Sequence, residues 1–146
     1  MTTEADKSAI RALIDSAADA LRQRDSDKAV APYSPDAVLF DLAPPLATRV
    51  SADDVRAWLD TWEGPVIREM RDVAIEVESD LAFAHFYVRT TAVTKSDKEQ
   101  AQWWARATLC FRRKRGKWLV VHEHVSVPFY MDGSFRAALD LEPPKQ

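Results

Sequence analysis

From Val73 onward the chain reads as strand after strand. The segments VAIEVES, LAFAHFYVRTTAVT, AQWWARATLCFRR and KWLVVHEHVSVPF are rich in β-branched and aromatic residues, with turn chemistry between them. Helical periodicity is confined to the residues before them. Helices first and a long run of strands afterwards is an α+β pattern, in which an antiparallel sheet curls around the helices.

Residues 3–24 place Ile10, Leu13, Ile14, Ala17, Ala18 and Leu21 at helical spacing, with Thr3 as a cap and Asp6 three residues later. A short second helix is expected over 26–33, started by Asp25 or Ser26 and broken by SPD. AVLFDLAPPL reads as a strand stopped by its prolines, and LATRV as a short partner strand. A third helix, SADDVRAWLDTWEG, has Ser51 as N-cap, acids in its first turn, and Val55, Trp58, Leu59 and Trp62 on one face. Gly64-Pro65 is its expected stop.

With 146 residues, no repeat and no linker, the chain is expected to be a single domain over 1–146. A net charge of -3 argues against a nucleic-acid partner, and RRKRGK reads as a solvated hairpin tip. Cys110 is the only cysteine, which excludes an internal disulfide and a cysteine-based zinc site. No apolar run reaches the ~20 residues of a membrane span, and no signal-peptide core precedes the first helix, so a cytoplasmic location is expected. The three glycines form no phosphate-cradling loop, and no cofactor is expected.

The last hairpin carries His122 and His124 on one strand, two residues apart. A three-residue loop, KRG, pairs Arg113 with Lys117 and sets Thr108 opposite His122, Arg106 opposite His124 and Trp104 opposite Ser126. One face then holds Trp104, Arg106, Thr108, Cys110, Trp118, Val120, His122, His124 and Ser126. The other is greasy and holds Glu123 in its midst. On the preceding strand His85, Tyr87 and Arg89 share a side. The polar set is placed on the pocket wall. The greasy set, including Trp103, Leu109, Val121, Val125 and Val127, is placed on an outer face that a homodimer would cover.

The same residues resemble a known group. The order of elements is similar to the nuclear transport factor 2-like superfamily, which includes ketosteroid isomerases and polyketide cyclases. RGKWLVVHEHVS resembles the final strand of the calcium/calmodulin-dependent kinase II association domain, and FYVR resembles that domain's strand with a pocket-facing arginine, here Arg89. The resemblance implies a cone-shaped, curved and partly mixed sheet of about six strands around three N-terminal helices. YSPDAVLFDLAP is similar to the isomerase stretch bearing the general base, which corresponds to Asp41. The isomerase's oxyanion-hole tyrosine falls on Ala17, which offers an enolate no donor, so true steroid isomerisation is not expected.

The expected site is therefore Asp41 as base and His124 as acid or orienter, with Arg89 and Arg106 anchoring an anionic or carbonyl ligand. His122, Tyr87, Trp104, Trp58 and Trp62 complete the pocket, and structural roles remain open for each. A metal on His122 and His124 lacks a third ligand, since His85 lies two strands away, about 10 Å at ~4.8 Å per strand, and only Asp41 could replace it. Two functions follow: a small-molecule pocket performing proton transfer, isomerisation, dehydration or cyclisation, or a non-catalytic association module.

Overall fold

A computed structural model describes residues 3–145. Helices α1 (Thr3–Arg22) and α2 (Ser26–Val30) precede strands β1 (Tyr33–Phe40) and β2 (Thr48–Arg49), and helix α3 (Ala52–Leu59) comes after them. They are followed by β3 (Trp62–Glu78), β4 (Leu81–Thr94), β5 (Gln100–Lys114) and β6 (Lys117–Ser126). The six strands form one sheet in the order β2-β1-β6-β5-β4-β3, with β1 parallel to β6 and every other pair antiparallel. This is the expected α+β architecture, a mixed sheet curled around the helices as a cone.

Local chemistry explains the helix ends. Asp25 accepts from the Lys28 amide at 3.0 Å and starts α2, and Ser51 accepts from the Asp54 amide at 3.1 Å and starts α3. Arg24 leaves α1 with φ 58° and donates to the Leu59, Trp62 and Gly64 carbonyls, tying α1 to the α3–β3 junction. Asp6, only 5% exposed, accepts from Arg113 Nη1 at 2.8 Å and from Trp118 Nε1 at 3.2 Å. One buried carboxylate thus fastens α1 to the β5–β6 hairpin.

Two boundaries differ from expectation. β1 begins at Tyr33 rather than Ala37, because α2 ends at Val30 and Pro32 releases the chain into extended backbone. α3 ends at Leu59, so Trp62 sits in β3 and not on the helix. Gly64 at φ 73° lies inside β3, where the ladder with β4 shifts register.

The core lies between α1 and the inner face of the sheet. Ile10 and Ile14 pack against Ala84, Phe86, Val88, Ala105, Ala107, Leu109, Phe111 and Val120. A second cluster joins Ala20, Leu21, Ala29, Leu59, Val66 and Ala92. After β6 the chain crosses the outer side of the sheet. Pro128 and Ala138 hydrogen-bond across this strap, and Arg71 Nη2 donates to the Pro144 carbonyl at 2.7 Å.

The hairpin corrects both the register and the facing. The loop has two residues, Arg115 (φ 52°) and Gly116 (φ 77°), the twin positive φ values of a tight hairpin turn. Lys114 therefore pairs with Lys117, and Trp118 and Val120 turn inward beside Phe111. A bulge at Val121 then restores the expected alternation. His122 opposes Cys110, His124 opposes Thr108, and Ser126 opposes Arg106. The polar and greasy sets stay separate in this half, but the greasy set faces the helices. Burying the apolar face against α1 removes more apolar area from water than burying the mixed face would, and each fully buried Leu, Val or Phe is worth about 1.5–3 kcal/mol.

Candidate functional site

The cone encloses a cavity of about 620 Å³. Its walls come from α1 (Leu13, Ile14, Ala17), α3 (Val55, Trp58) and the inner faces of β3 to β6. The loop after β1 closes the rim. The volume is that of a site for a ligand of drug-like size. Most of the lining is apolar, and against it stand Tyr33, Asp41, Arg68 and Glu123.

The parallel β1–β6 junction builds the polar corner. Leu39 pairs with Glu123, so β1 presents Leu39 and Asp41 to the cavity beside the Glu123 carboxyl. From the other end of β1 the Tyr33 hydroxyl donates to Glu123 Oε1 at 2.7 Å. Burial raises the pKa of both partners. For Tyr33 the Glu123 charge adds to the rise, whereas for Glu123 the tyrosine hydrogen bond and the Arg68 charge offset part of it. Asp41 keeps solvent access through the mouth, yet surrounding protein desolvates it enough to raise its pKa, and Arg68 opposes that rise.

Arg68 reaches the cavity from β3, where it pairs with Thr90, and its guanidinium carbon lies 5.8 Å from the centre of the Trp58 ring. Its Nε is buried and has no hydrogen-bond partner. Trp58, Trp62 and Trp103 form a row of rings at successive centroid distances of 6.1 Å, with Trp58 and Trp103 on the cavity wall and Trp62 behind them.

Of the expected site residues, Asp41 and Trp58 line this cavity, and the rest do not. His122 and His124 lie on the outer side. The His122 Nδ1–H donates to the Val38 carbonyl at 2.7 Å, and Phe40 packs edge-on against both rings. His124 is exposed and has no place in the cavity as an acid. Arg89 pairs with Glu69 and lies over Trp104, and Arg106 donates to Ser126 Oγ at 3.2 Å. Tyr87, Trp104 and Arg106 border a narrow gap of about 120 Å³ beneath the strap. Among the described residues no three His, Cys, Asp or Glu side chains converge as metal ligands.

The expected dimer face is corrected for the same reason. Trp103, Leu109 and Val125 line the cavity, and Val127 packs against the main core. Glu123, expected to find its partner across an interface, finds it in Tyr33 of the same chain. A lone acid within an apolar alternation was the signal for Glu123. Arg68 left none, because β3 begins eleven residues before the stretch that reads as strand.

Comparison with known proteins follows the geometry. Residues 10–130 match the model of the SnoaL-like domain. The chain belongs to the SnoaL-like family. It is thereby a nuclear transport factor 2-like protein, as its fold requires. An NTF2-like protein of unknown function from Pseudomonas putida KT2440 is 33% identical, with a TM-score of 0.85 over 98% of this chain and 100% of that one. A Streptomyces avermitilis protein of the NTF2-like family, assigned as a dehydratase, has a TM-score of 0.74 at 14% identity, covering 86% of this chain and 97% of that one. A Xanthomonas campestris protein assigned as a calcium/calmodulin-dependent kinase II association domain reaches 0.69 at 21% identity, over 80% and 84%. These last two share the fold alone. No curated protein matches this SnoaL-like chain. Ala17 lines the cavity, so the wall that carries the isomerase tyrosine in the resemblance offers no donor here.

Proposed function

We propose that this SnoaL-like domain binds a small apolar ligand bearing a carbonyl or carboxylate inside the cone and moves a proton on it. The supporting observation is the polar corner, where Asp41 and the hydrogen-bonded Tyr33–Glu123 pair line the same mostly apolar cavity. Asp41 is the base, since a desolvated carboxylate with a raised pKa accepts a proton from carbon more readily than an exposed one. The Tyr33 hydroxyl gives its single proton to Glu123, so it fixes the Glu123 carboxyl at this corner and offers the ligand an acceptor oxygen rather than a free donor. Dehydration, isomerisation and cyclisation all begin with this step.

The test is proton exchange on 2-tetralone, an enolisable bicyclic ketone, followed by NMR in deuterated buffer. The protein should accelerate exchange above the buffer rate, and Asp41→Asn should lower that acceleration about 100-fold or more. Exchange at the buffer rate with unaltered protein would sink the catalytic reading.

A second reading, an association module without turnover, draws on the outer side. Phe129, Met131 and Phe135 on the strap are 51%, 79% and 66% exposed, an apolar surface that a second copy of this chain would cover. Light scattering decides it. The unaltered chain should run as a dimer and Phe135→Lys as a folded monomer, whereas a monomeric unaltered chain ends this reading.

A further inference from the structure

The half-buried arginines provide an internal comparison. Five lie in that class among the described residues: Arg24, Arg68, Arg71, Arg89 and Arg113. Arg24 and Arg71 donate to main-chain carbonyls, Arg89 pairs with Glu69, and Arg113 pairs with Asp6 and Asp80. Arg68 alone of the five forms no hydrogen bond with the described residues and has none of their carboxylate oxygens within 4.0 Å. A guanidinium carries five donors and holds its charge at any working pH, so leaving it unpaired inside a protein is costly.

Position shows what the partner must be. Arg68 opens onto the cavity, and the neighbouring Trp58 ring turns one face of its guanidinium environment aromatic. Asp41 and Glu123 share the cavity and influence it through space, but neither reaches Arg68. Glu123 is already committed to Tyr33. The remaining wall near Arg68 is its strand partner Thr90 together with Met70, Val88, Trp103 and Ala105, a mostly apolar surface that suits a flat hydrocarbon body.

We propose that Arg68 is the anchor for a carboxylate group, and that the natural ligand is a polycyclic or aromatic acid. This rests on the cavity reading above and deepens it. The carboxylate takes the planar fork of Arg68 bidentately, and the ring system lies along Trp58 and Trp103. So placed, the acid end is fixed on β3 while the reacting carbon faces the Asp41 and Tyr33 corner formed by β1 and β6. Arg68 is a binding residue in this arrangement and takes no proton.

The experiment compares pyrene-1-carboxylate with neutral pyrene-1-carboxamide, read by energy transfer from tryptophan to pyrene. The unaltered protein should bind the carboxylate more tightly. Arg68→Met should weaken carboxylate binding about 10- to 100-fold, the loss of a charge-assisted pair, and leave the amide within about twofold. Arg68→Lys should fall between, keeping the charge and losing the fork. Equal loss for both probes, or no loss for either, overturns the anchor. Amide binding without any preference for the carboxylate also overturns it while sparing the cavity reading. If neither probe binds, both readings fall together. Should Arg68→Met not fold, the preference of the unaltered protein decides the matter.

Discussion

Tyr33→Phe separates a charge-dependent hydrogen bond from simple packing. It removes one oxygen and leaves the ring, so the apolar contacts of Tyr33 with the core persist. What disappears is the donor 2.7 Å from Glu123 Oε1, the one hydrogen bond that this carboxyl has among the described residues. Once the pH exceeds its raised pKa Glu123 is ionised, and a hydrogen bond to a charged group is worth about 1.5–3 kcal/mol. At pH 4 Glu123 is protonated in the folded state, because burial raises its pKa, and the bond falls to the neutral value of about 1 kcal/mol. The destabilisation should therefore be larger at pH 8 than at pH 4 by about 0.5–2 kcal/mol. The sign follows from linkage. A carboxyl whose folded pKa lies above its unfolded value binds more protons when folded, so its contribution to stability falls as pH rises between the two values. Losing the tyrosine hydroxyl raises the upper value and extends that fall. Urea unfolding followed by tryptophan fluorescence at both pH values measures it, and Glu123→Gln should remove the pH dependence of the difference. Equal destabilisation by Tyr33→Phe at pH 4 and pH 8 would refute the pairing.

Other substitutions check the frame around this corner. Phe111→Ala, at a side chain 1% exposed, should cost about 3–5 kcal/mol in urea unfolding. Asp6→Ala leaves the Trp118 indole N–H unpaired and takes one of two carboxylates from Arg113, which keeps Asp80, so a loss of about 1–3 kcal/mol is expected there, although Asp6 is a surface-type residue in a first helical turn. His122→Ala should cost about 1 kcal/mol through the Val38 carbonyl, while His124→Ala stays within about 0.5 kcal/mol. Both histidine variants should bind pyrene-1-carboxylate as the unaltered protein does. Weaker binding by either would return the outer side to the site.

The fold was legible because period and punctuation agree over long stretches. Capping at Asp25 and Ser51, the prolines after β1, and the strand composition from Val73 all rest on interactions within a few residues. Facing was harder, since it depends on two one-residue events. The β5–β6 turn is one residue shorter than the KRG loop implies, and Val121 bulges out. Each alone would invert the alternation. Together they cancel beyond the bulge, so the sets containing His124 and Glu123 were separated correctly and then assigned to opposite sides. The polar set looks like a site by composition, but partners along the outer side absorb much of it: Glu69 takes Arg89, Ser126 takes Arg106, and the Val38 carbonyl takes His122.

The cavity's own chemistry could not be seen in any local window. Tyr33 and Glu123 stand 90 positions apart and meet only because β1 enters the sheet parallel to β6. The parallel pairing of these strands sets the last strand in sequence against the first. That pairing places the polar corner at a seam where distant segments join, and Arg68 faces it from β3, the far edge of the six-strand order. A ligand held by Arg68 and acted on at the seam would bridge the edge strand β3 and the β1–β6 pair across the cone. Binding should then resist unfolding of β1 and β3 together, and hydrogen exchange in the two strands should slow in parallel when pyrene-1-carboxylate is added. Protection of one strand without the other would mean that the ligand does not span the cavity in the way the unpaired guanidinium requires.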